Sequence, residues 1–233
     1  MTLPTVVITG ANRGIGLQLV RNFLDSGSWK IIACCRSPQS ADTLNELAKQ
    51  YGDHLVLKSL EVTSPDSVAA LAVDLKENTV DLLINNAGIM GGDQQKTLDM
   101  DFGRWEETLQ VNTLAPLRMV QALYPNLKQS DHPRIVTISS QMGASVHKGI
   151  GAMAYRSSKA AVNKMMQGVS LELADEGFTV VLYHPGWVQT DMGGSSADIT
   201  PSESAKGLYN SIISLKPSDN GRFMKWTGED HAW

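Results

Sequence analysis

Short apolar segments rich in β-branched residues recur along this chain, and they constrain its fold more than any other feature of the sequence. They cover residues 5–9, 30–34, 55–57, 80–84, 134–138 and 179–183. Within each segment apolar residues follow one another with little polar alternation, which is typical of strands buried on both faces of a parallel sheet. We therefore predict that these segments are buried strands.

Helical patterns occupy the intervals between the predicted strands. Apolar residues, with one threonine, recur at three- and four-residue spacing in three stretches: Leu17, Val20, Phe23 and Leu24; Val68, Leu71 and Leu75; Leu109, Thr113, Leu117 and Val120. Residues 160–174 predict another long helix. This alternation predicts an α/β fold, with a doubly wound, mainly parallel sheet of about seven strands and helices on both faces. Because the sequence shows no repeat and no linker, we expect residues 1–233 to form a single domain.

The charge and the apolar pattern exclude several classes of function. Lys and Arg number 20 against 24 Asp and Glu, a net charge of −4, which argues against a nucleic-acid-binding protein. No apolar stretch approaches the roughly 20 residues that span a bilayer, and the first residues lack the basic and apolar segments of a secretory signal. We therefore expect a cytoplasmic protein that binds neither nucleic acid nor membrane.

Cysteine and histidine usage argues against covalent or metal cross-links. The two cysteines, Cys34 and Cys35, are neighbours on a predicted strand and so point to opposite faces. The five histidines are scattered without ligand spacing. We expect reduced cysteines and no metal site.

One segment has the composition of a long loop. Asp191 to Ser204 is rich in glycine and serine, follows a predicted strand and precedes a helical pattern that begins near Ala205. Because ligands of open α/β sheets bind beyond the carboxyl ends of strands, residues 191–204 are a candidate substrate loop. An ordinary surface loop is the alternative.

A glycine-rich turn follows the first predicted strand. Its glycines are Gly10, Gly14 and Gly16, in the pattern Gly-x-x-x-Gly-x-Gly. Such residues permit a tight turn and let the backbone approach a pyrophosphate at a helix N-terminus. A dinucleotide site and a purely structural turn both fit this pattern taken alone.

Four further motifs and one asparagine follow in a fixed order along nearly the whole chain. They are Asn85-Asn86-Ala87-Gly88, Asn112, Ile138-Ser139-Ser140, Tyr155-Arg156-Ser157-Ser158-Lys159 and Pro185-Gly186-Trp187-Val188-Gln189-Thr190. With the glycine-rich turn, they resemble the single-domain short-chain dehydrogenase/reductase family, which implies a Rossmann-type fold. The residues Asn220 to Met224, Gly228 and Trp233 resemble its C-factor-like carbonyl reductase branch.

A candidate catalytic set emerges from the same motifs. Tyr155 and Lys159 lie one helical turn apart, and a nearby ammonium group favours the phenolate and lowers the tyrosine pKa. Tyr155 is then a general acid in reduction and a general base in oxidation. Ser140, or its neighbour Ser139, can hold a substrate oxygen, and the resemblance favours Ser140. The resemblance also implies that Asn112 holds a water through its backbone and links Lys159 to solvent.

The resemblance implies a nicotinamide cofactor and a set of residues that bind it. Asn86 would lie near the adenosine, Glu61 stands where the family usually has Asp near the adenine, and Val188 and Thr190 would meet the nicotinamide carboxamide and the phosphates. The whole set is Gly10, Asn12, Arg13, Gly14, Ile15, Gly16, Arg36, Glu61, Val62, Asn86, Ala87, Gly88, Tyr155, Lys159, Pro185, Gly186, Val188 and Thr190.

The end of the second predicted strand favours NADP(H) over NAD(H). An NAD site places an acidic residue there for the ribose hydroxyls, but this chain has Cys35 followed by Arg36. Arg36 and Arg13 can bind a 2′-phosphate through charge-assisted hydrogen bonds. The alternative is that both arginines are simply solvated.

Two functions from different classes fit the sequence. The first is NADPH-dependent reduction of an aldehyde or ketone to an alcohol, with Tyr155 as the proton donor and a small-molecule carbonyl or alcohol as the substrate. The second is a cofactor-binding signalling or regulatory protein of the C-factor type with little turnover. The intact set of Asn112, Ser140, Tyr155 and Lys159 favours the enzyme. The resemblance also implies a homodimer or homotetramer.

Overall fold

Strands and helices alternate along the chain as the apolar pattern predicts. The computed structural model describes residues 3–233. The strands are β1 (Thr5–Thr9), β2 (Lys30–Cys35), β3 (Leu55–Ser59), β4 (Leu82–Asn85), β5 (Gln95–Lys96), β6 (Asp99–Met100), β7 (Arg134–Ile138), β8 (Thr179–His184) and β9 (Phe223–Lys225). The helices are α1 (Gly14–Asp25), α2 (Asp42–Tyr51), α3 (Pro65–Asp74), α4 (Phe102–Leu109), α5 (Ala115–Leu127), α6 (Met153–Glu172) and α7 (Pro201–Ile213).

Seven of the strands form one parallel sheet in the order β3-β2-β1-β4-β7-β8-β9. The chain proceeds outward from β1 to β3 and then crosses back to β4 on the other side of β1. Such a reversal opens a crevice at the carboxyl ends of β1 and β4, where ligands of doubly wound sheets bind. The predicted doubly wound parallel fold is confirmed.

Apolar layers cover both faces of the sheet. Alternate residues of β1 divide between them, so Val6 and Ile8 face a layer built with α1, α2 and α7, whereas Val7 faces a layer built with α3, α5 and α6. All three side chains are fully buried. The division explains why the strand sequences lack polar alternation, since neither face of the central strands reaches water.

The boundaries of two elements differ from the prediction. Helix α7 begins at Pro201, so the irregular part of the candidate substrate loop 191–204 ends at Thr200. Thr200 accepts a hydrogen bond from the Glu203 N–H, and the Glu203 carboxylate accepts one from the Thr200 N–H. This reciprocal capping, with proline in the first turn, starts the helix early. Helix α6 likewise begins at Met153, before the predicted residue 160, and so includes Tyr155.

The helical stretch around Asn112 is not a regular α-helix. A π-helical turn, Gln110–Leu114, joins α4 to α5. Of the predicted face, Thr113 and Val120 are buried and Leu109 and Leu117 are only half-buried, while Thr108, Asn112 and Met119 are buried as well. One wide turn of this kind is frequent at functional sites.

Membrane-spanning helices and metal-ligand clusters are both absent from residues 3–233. No helix within that range combines the length and the apolar character needed to cross a membrane. In the same range, no three side chains of the histidine, cysteine or acidic type cluster as metal ligands.

Candidate active site

The predicted catalytic side chains meet at the carboxyl edge of the sheet. Ser140 follows β7, Tyr155 and Lys159 lie on the first turns of α6, and Asn112 lies in the π turn. All four residues are buried, with at most 8% of their surface exposed. The sequence motifs are therefore brought together into one site, although they span more than forty positions of the chain.

Tyr155 and Ser140 form the centre of the site. Burial raises the pKa of Tyr155, and a side-chain hydrogen bond with Ser140 works in the opposite direction. The Ser140 Oγ also accepts a hydrogen bond from the Met142 N–H, at 3.1 Å. Because that bond uses a lone pair, the Ser140 proton stays available for an oxygen acceptor.

Lys159 lies beside the tyrosine ring. Its Nζ stands 5.7 Å from the Tyr155 ring centroid and donates to the Ile138 carbonyl at 2.8 Å. Burial lowers the pKa of Lys159 to about 8. The expected lowering of the tyrosine pKa by this ammonium group is not found: burial is the main influence on Tyr155, and it raises the pKa.

Asn112 uses its whole side chain to join three segments. Its Nδ2 donates to the Ile89 carbonyl and to the Ser158 Oγ, and its Oδ1 accepts from the Ile89 N–H. The amide therefore ties the segment after β4 and helix α6 to the π turn. Ser139, the alternative to Ser140, instead hydrogen bonds through its Oγ to Asn163 on α6, away from Tyr155.

The glycine-rich turn has the shape that a dinucleotide phosphate needs. Gly10 and Gly14 have φ values of +64° and +54°, which side chains disfavour. A Cβ on Gly16 would stand 2.3 Å from the Gly10 carbonyl oxygen. The α1 N-cap residue, Arg13, makes no side-chain capping bond, and the first turn holds no acidic residue. The first N–H groups of α1 are thus suited to an anion.

Asn86 anchors this turn to β4. Its Nδ2 donates to the carbonyl oxygens of Thr9 and Gly10 at 2.9 and 3.0 Å. The Thr9 Oγ1 accepts from the N–H groups of both Asn86 and Ala87, at 3.0 Å each. The sequence motifs did not predict Thr9 as a site residue. Its position directly before Gly10 is the feature of the sequence that could have indicated it.

Arg36 and Arg13, the two candidate ligands of a 2′-phosphate, lie in different surroundings. Arg36 is exposed directly after β2, next to the buried and free Cys35. Arg13, exposed beside Asn12 and Ile15 at the start of α1, makes an ion pair with Asp191 at the start of the candidate loop. That pair connects the glycine-rich turn with the segment after β8.

Glu61 and Val62 follow β3. The Glu61 carboxylate accepts bonds from the Thr63 N–H and Oγ1 at 3.1 and 2.8 Å, so it is held in a local turn. The buried Val62 accepts a bond at its carbonyl from the Arg118 guanidinium of α5. Arg118 was not predicted, because nothing in the helical pattern distinguishes it from a solvated cation.

The segment after β8 is held by its own hydrogen bonds. The Pro185 carbonyl accepts from the Ser204 Oγ of α7 at 2.6 Å. Gly186 has φ +89°, and a Cβ there would stand 2.5 Å from Ile199. Val188 is buried, and its carbonyl accepts from the Thr190 N–H at 2.8 Å. A methyl group on Gly14 would stand 3.4 Å from the Thr190 Cγ2, which places Thr190 over the glycine-rich turn.

Comparison with known proteins agrees with this geometry. The family model described as short chain dehydrogenase matches residues 4–200. The C-signal of Myxococcus xanthus is 40% identical over 170 residues, which are 70% of this chain and 99% of the relative. The NADPH-bound carbonyl reductase from chicken fatty liver is 36% identical, with a TM-score of 0.92 and full coverage of both chains. The carbonyl reductase Sniffer of D. melanogaster is 30% identical, with the same TM-score and coverage.

Proposed function

Because the chain belongs to the short-chain dehydrogenase family, we propose that it is an NADPH-dependent oxidoreductase that reduces an aldehyde or ketone to an alcohol. One observation carries the proposal. Tyr155, Ser140 and Lys159 lie together in one buried site, with the Lys159 Nζ 5.7 Å from the tyrosine ring centroid and the Ser140 side chain acting to lower the tyrosine pKa. A purely regulatory cofactor-binding protein has no need of this arrangement.

The residues present fit a phosphorylated dinucleotide. The glycine turn Gly10–Gly16 and the free N–H groups of α1 suit the pyrophosphate, and Gly88, Val188 and Thr190 lie along the same edge. The exposed Arg36 stands where a 2′-phosphate would be selected, with no carboxylate on the preceding residue. NADPH in the related chicken carbonyl reductase is consistent with this choice. When bound, NADPH supplies a hydride to the carbonyl carbon.

The protein residues then handle the substrate oxygen and its proton. The Ser140 hydroxyl donates to the carbonyl oxygen and stabilises the negative charge that develops on it. The Tyr155 hydroxyl gives its proton to the same oxygen as general acid. Lys159 keeps positive charge beside the phenolate that this transfer leaves. We assign the backbone oxygen of Asn112, in the widened π turn, as the ligand of a water that links Lys159 to solvent.

The protonation states favour the reductive direction. Burial raises the pKa of Tyr155, so its hydroxyl is protonated near neutral pH and ready to donate. Oxidation of an alcohol would need the phenolate instead, which burial disfavours. A pKa of about 8 leaves Lys159 mostly charged at pH 7.

A direct test combines a substrate screen with one substitution. Purified protein is assayed for NADPH oxidation with small aldehydes, ketones, quinones and steroid-like carbonyls. With any accepted substrate, Tyr155→Phe should lower kcat about 10²–10⁴-fold, because it removes only the proton donor. NADPH affinity, measured by fluorescence, should stay nearly unchanged. Tyr124→Phe is the matched control, since its hydroxyl bonds to Glu176 on the surface.

Two outcomes would contradict the proposal. Near-normal turnover of the Tyr155→Phe protein would remove Tyr155 from the mechanism. Tight NADPH binding without turnover on any carbonyl would favour the second candidate, a cofactor-binding signalling protein, for which the similarity to the C-signal is the supporting observation.

A further inference from the structure

Gln95 is a buried side chain that the catalytic motifs do not include. It lies in β5, is 4% exposed, and uses its whole amide. Its Oε1 accepts from the Tyr155 N–H at 3.1 Å, and its Nε2 donates to the carbonyl oxygens of Met90 and Gly92 at 2.9 and 2.6 Å. These partners settle which end of the amide is which, because only an oxygen can accept from an N–H group.

The first of these bonds replaces a missing helix cap. The N-cap residue of α6 is Ala152, which has φ +48° and no side chain that could accept a hydrogen bond. Tyr155 is the third residue of the helix, so its N–H has no partner within the helix. Gln95 supplies that partner from another element and thereby fixes the turn that carries the Tyr155 hydroxyl.

The other two bonds fix a wall of the site. The segment 87–92 follows β4, and a methyl group on Gly88 would stand 3.7 Å from the Lys159 Nζ. Asn112 holds this segment at Ile89. Gln95 holds it at the next residue and at Gly92. A Cβ on Gly91 would stand 3.4 Å from the Ala154 Cβ on α6, so wall and helix are in contact there.

We infer that Gln95 is a positioning residue, which sets the Tyr155 hydroxyl relative to the segment that carries Ala87 and Gly88. The inference rests on the proposed function, since it assumes that Tyr155 is the proton donor. Only a side chain with one acceptor and two donors at this length satisfies all three partners. Leucine satisfies none of them. An ionised glutamate can accept a hydrogen bond from the Tyr155 N–H, but its negative charge would repel the carbonyl oxygens of Met90 and Gly92.

The experiment compares Gln95→Leu, Gln95→Glu and the control Gln94→Glu. Gln94 is the preceding residue, is exposed and bonds to Asp99 at the surface, so its substitution adds the same charge outside the site. Three quantities are measured in the full chain: kcat and KM, the NADPH dissociation constant, and amide-resolved hydrogen exchange of α6.

We expect Gln95→Leu to change both the hydrogen exchange of the Tyr155 amide and the turnover number, but to leave the affinity for NADPH nearly unchanged. The Tyr155 amide should exchange about fivefold to tenfold faster, which corresponds to the loss of one hydrogen bond. Misplacement of the hydroxyl should lower kcat about 10- to 100-fold. The NADPH dissociation constant should change less than about twofold, because the bonds lost are to Met90 and Gly92, while Asn112 still holds Ile89 next to the cofactor-binding residues Ala87 and Gly88.

Gln95→Glu adds a pH signature that a packing defect would not produce. A neutral carboxyl group keeps the acceptor and one donor, so activity relative to the wild type should be highest at low pH. Burial raises a glutamate pKa from about 4.3 toward neutrality. The activity ratio should therefore fall between about pH 5.5 and 8, as the group ionises against two carbonyl oxygens. Gln94→Glu should show a flat ratio.

Several outcomes would overturn the inference. These are an unchanged kcat in Gln95→Leu, an exchange rate at Tyr155 equal to that of the wild type, or a flat pH ratio in Gln95→Glu. If Gln95→Leu fails to fold, the pH ratio of Gln95→Glu decides. If the wild type turns over no carbonyl, the proposed function fails, and the exchange rate still shows whether Gln95 holds the Tyr155 amide.

Discussion

At the residue scale, burial works against the positive charge of Lys159 that the proposed mechanism needs. Lys159 is 5% exposed, and its amine makes one hydrogen bond, to the Ile138 carbonyl. No carboxylate contributes to its lowered pKa, which desolvation alone accounts for. Lys159 therefore destabilises the folded state, as functional groups in buried sites often do.

Replacing Lys159 should make the free protein more stable as it destroys activity. Below its folded pKa of about 8, the lysine is charged in both states, and folding must desolvate that charge. Between about 8 and its unfolded pKa of 10.5, the unfolded state binds more protons, so stability from this group rises with pH. In urea unfolding, Lys159→Met should therefore be more stable at pH 7 by about 1–3 kcal/mol, and this advantage should shrink toward pH 10.

The control for that measurement lies on the same helix. Lys164 is exposed and bonds only to Gln167 within its own helix. Lys164→Met should change stability by about 0.5 kcal/mol or less, with no trend across the same pH range. A Lys159→Met protein that is less stable than the wild type at pH 7 would show that the buried charge is better compensated than the geometry indicates.

Cofactor selection should depend on Arg36. A charge-assisted bond to the 2′-phosphate contributes about 1.5–3 kcal/mol. Arg36→Ala should therefore weaken NADPH binding roughly 10- to 100-fold and leave NADH binding unchanged. Arg21→Ala removes another exposed arginine, on α1, and serves as the control. Equal losses for both cofactors would mean that Arg36 supports the fold or contacts the adenine instead.

At the element scale, the strands were more predictable than the links between elements. Strands β1 and β7 match their predicted limits, because their apolar residues are buried on both faces. The hairpin β5–β6 was missed, since strands of two residues leave no periodic signal. Gln95 was missed with it. Its role depends on a contact 60 positions away, which no local pattern encodes.

Asp191, in the loop after β8, should compete with the cofactor for the Arg13 side chain of the glycine-rich turn. In the structure Arg13 pairs with Asp191, so the guanidinium is turned toward the loop. Exposed ion pairs are weak, and releasing this one should make Arg13 available to a 2′-phosphate. Asp191→Asn should tighten NADPH binding about two- to fivefold, with no gain for NADH and no gain in an Arg13→Ala background. Equal weakening for both cofactors would instead mean that the pair closes over the bound dinucleotide.

At the scale of the whole molecule, the sheet divides the apolar core in two, and helices of each face contribute to it. Leu123 on α5 is fully buried in the layer with α3 and α6, whereas Leu171 on α6 is 75% exposed. Leu123→Ala should lower the free energy of unfolding by about 2–5 kcal/mol. Leu171→Ala has the same helix-propensity change and should cost less than about 1 kcal/mol. Similar losses for both would contradict the two-layer core.

The sequence alone could predict the doubly wound fold and which motif residues lie together at one edge of the sheet, but not the contacts that hold them in place. The glycine-rich turn, Asn86, Ser140 and residues 185–190 could be placed because each follows a strand whose carboxyl end lies at the same edge of the sheet. Thr9, Gln95 and Arg118 act through single contacts with distant backbone groups. Such contacts depend on the folded arrangement and leave no spacing to read.

The π turn makes the length of one helical segment as important as its residues. Each residue advances an α-helix by about 100°, and the turn Gln110–Leu114 inserts one residue beyond the regular count. Losing or gaining one residue there would rotate α4 against α5 by that angle. Trp105, which bonds to Ser157 on α6, and the buried Leu123 could then no longer both face their partners. Homologous proteins that keep this site should therefore tolerate substitutions in the segment at positions other than Asn112, but neither an insertion nor a deletion.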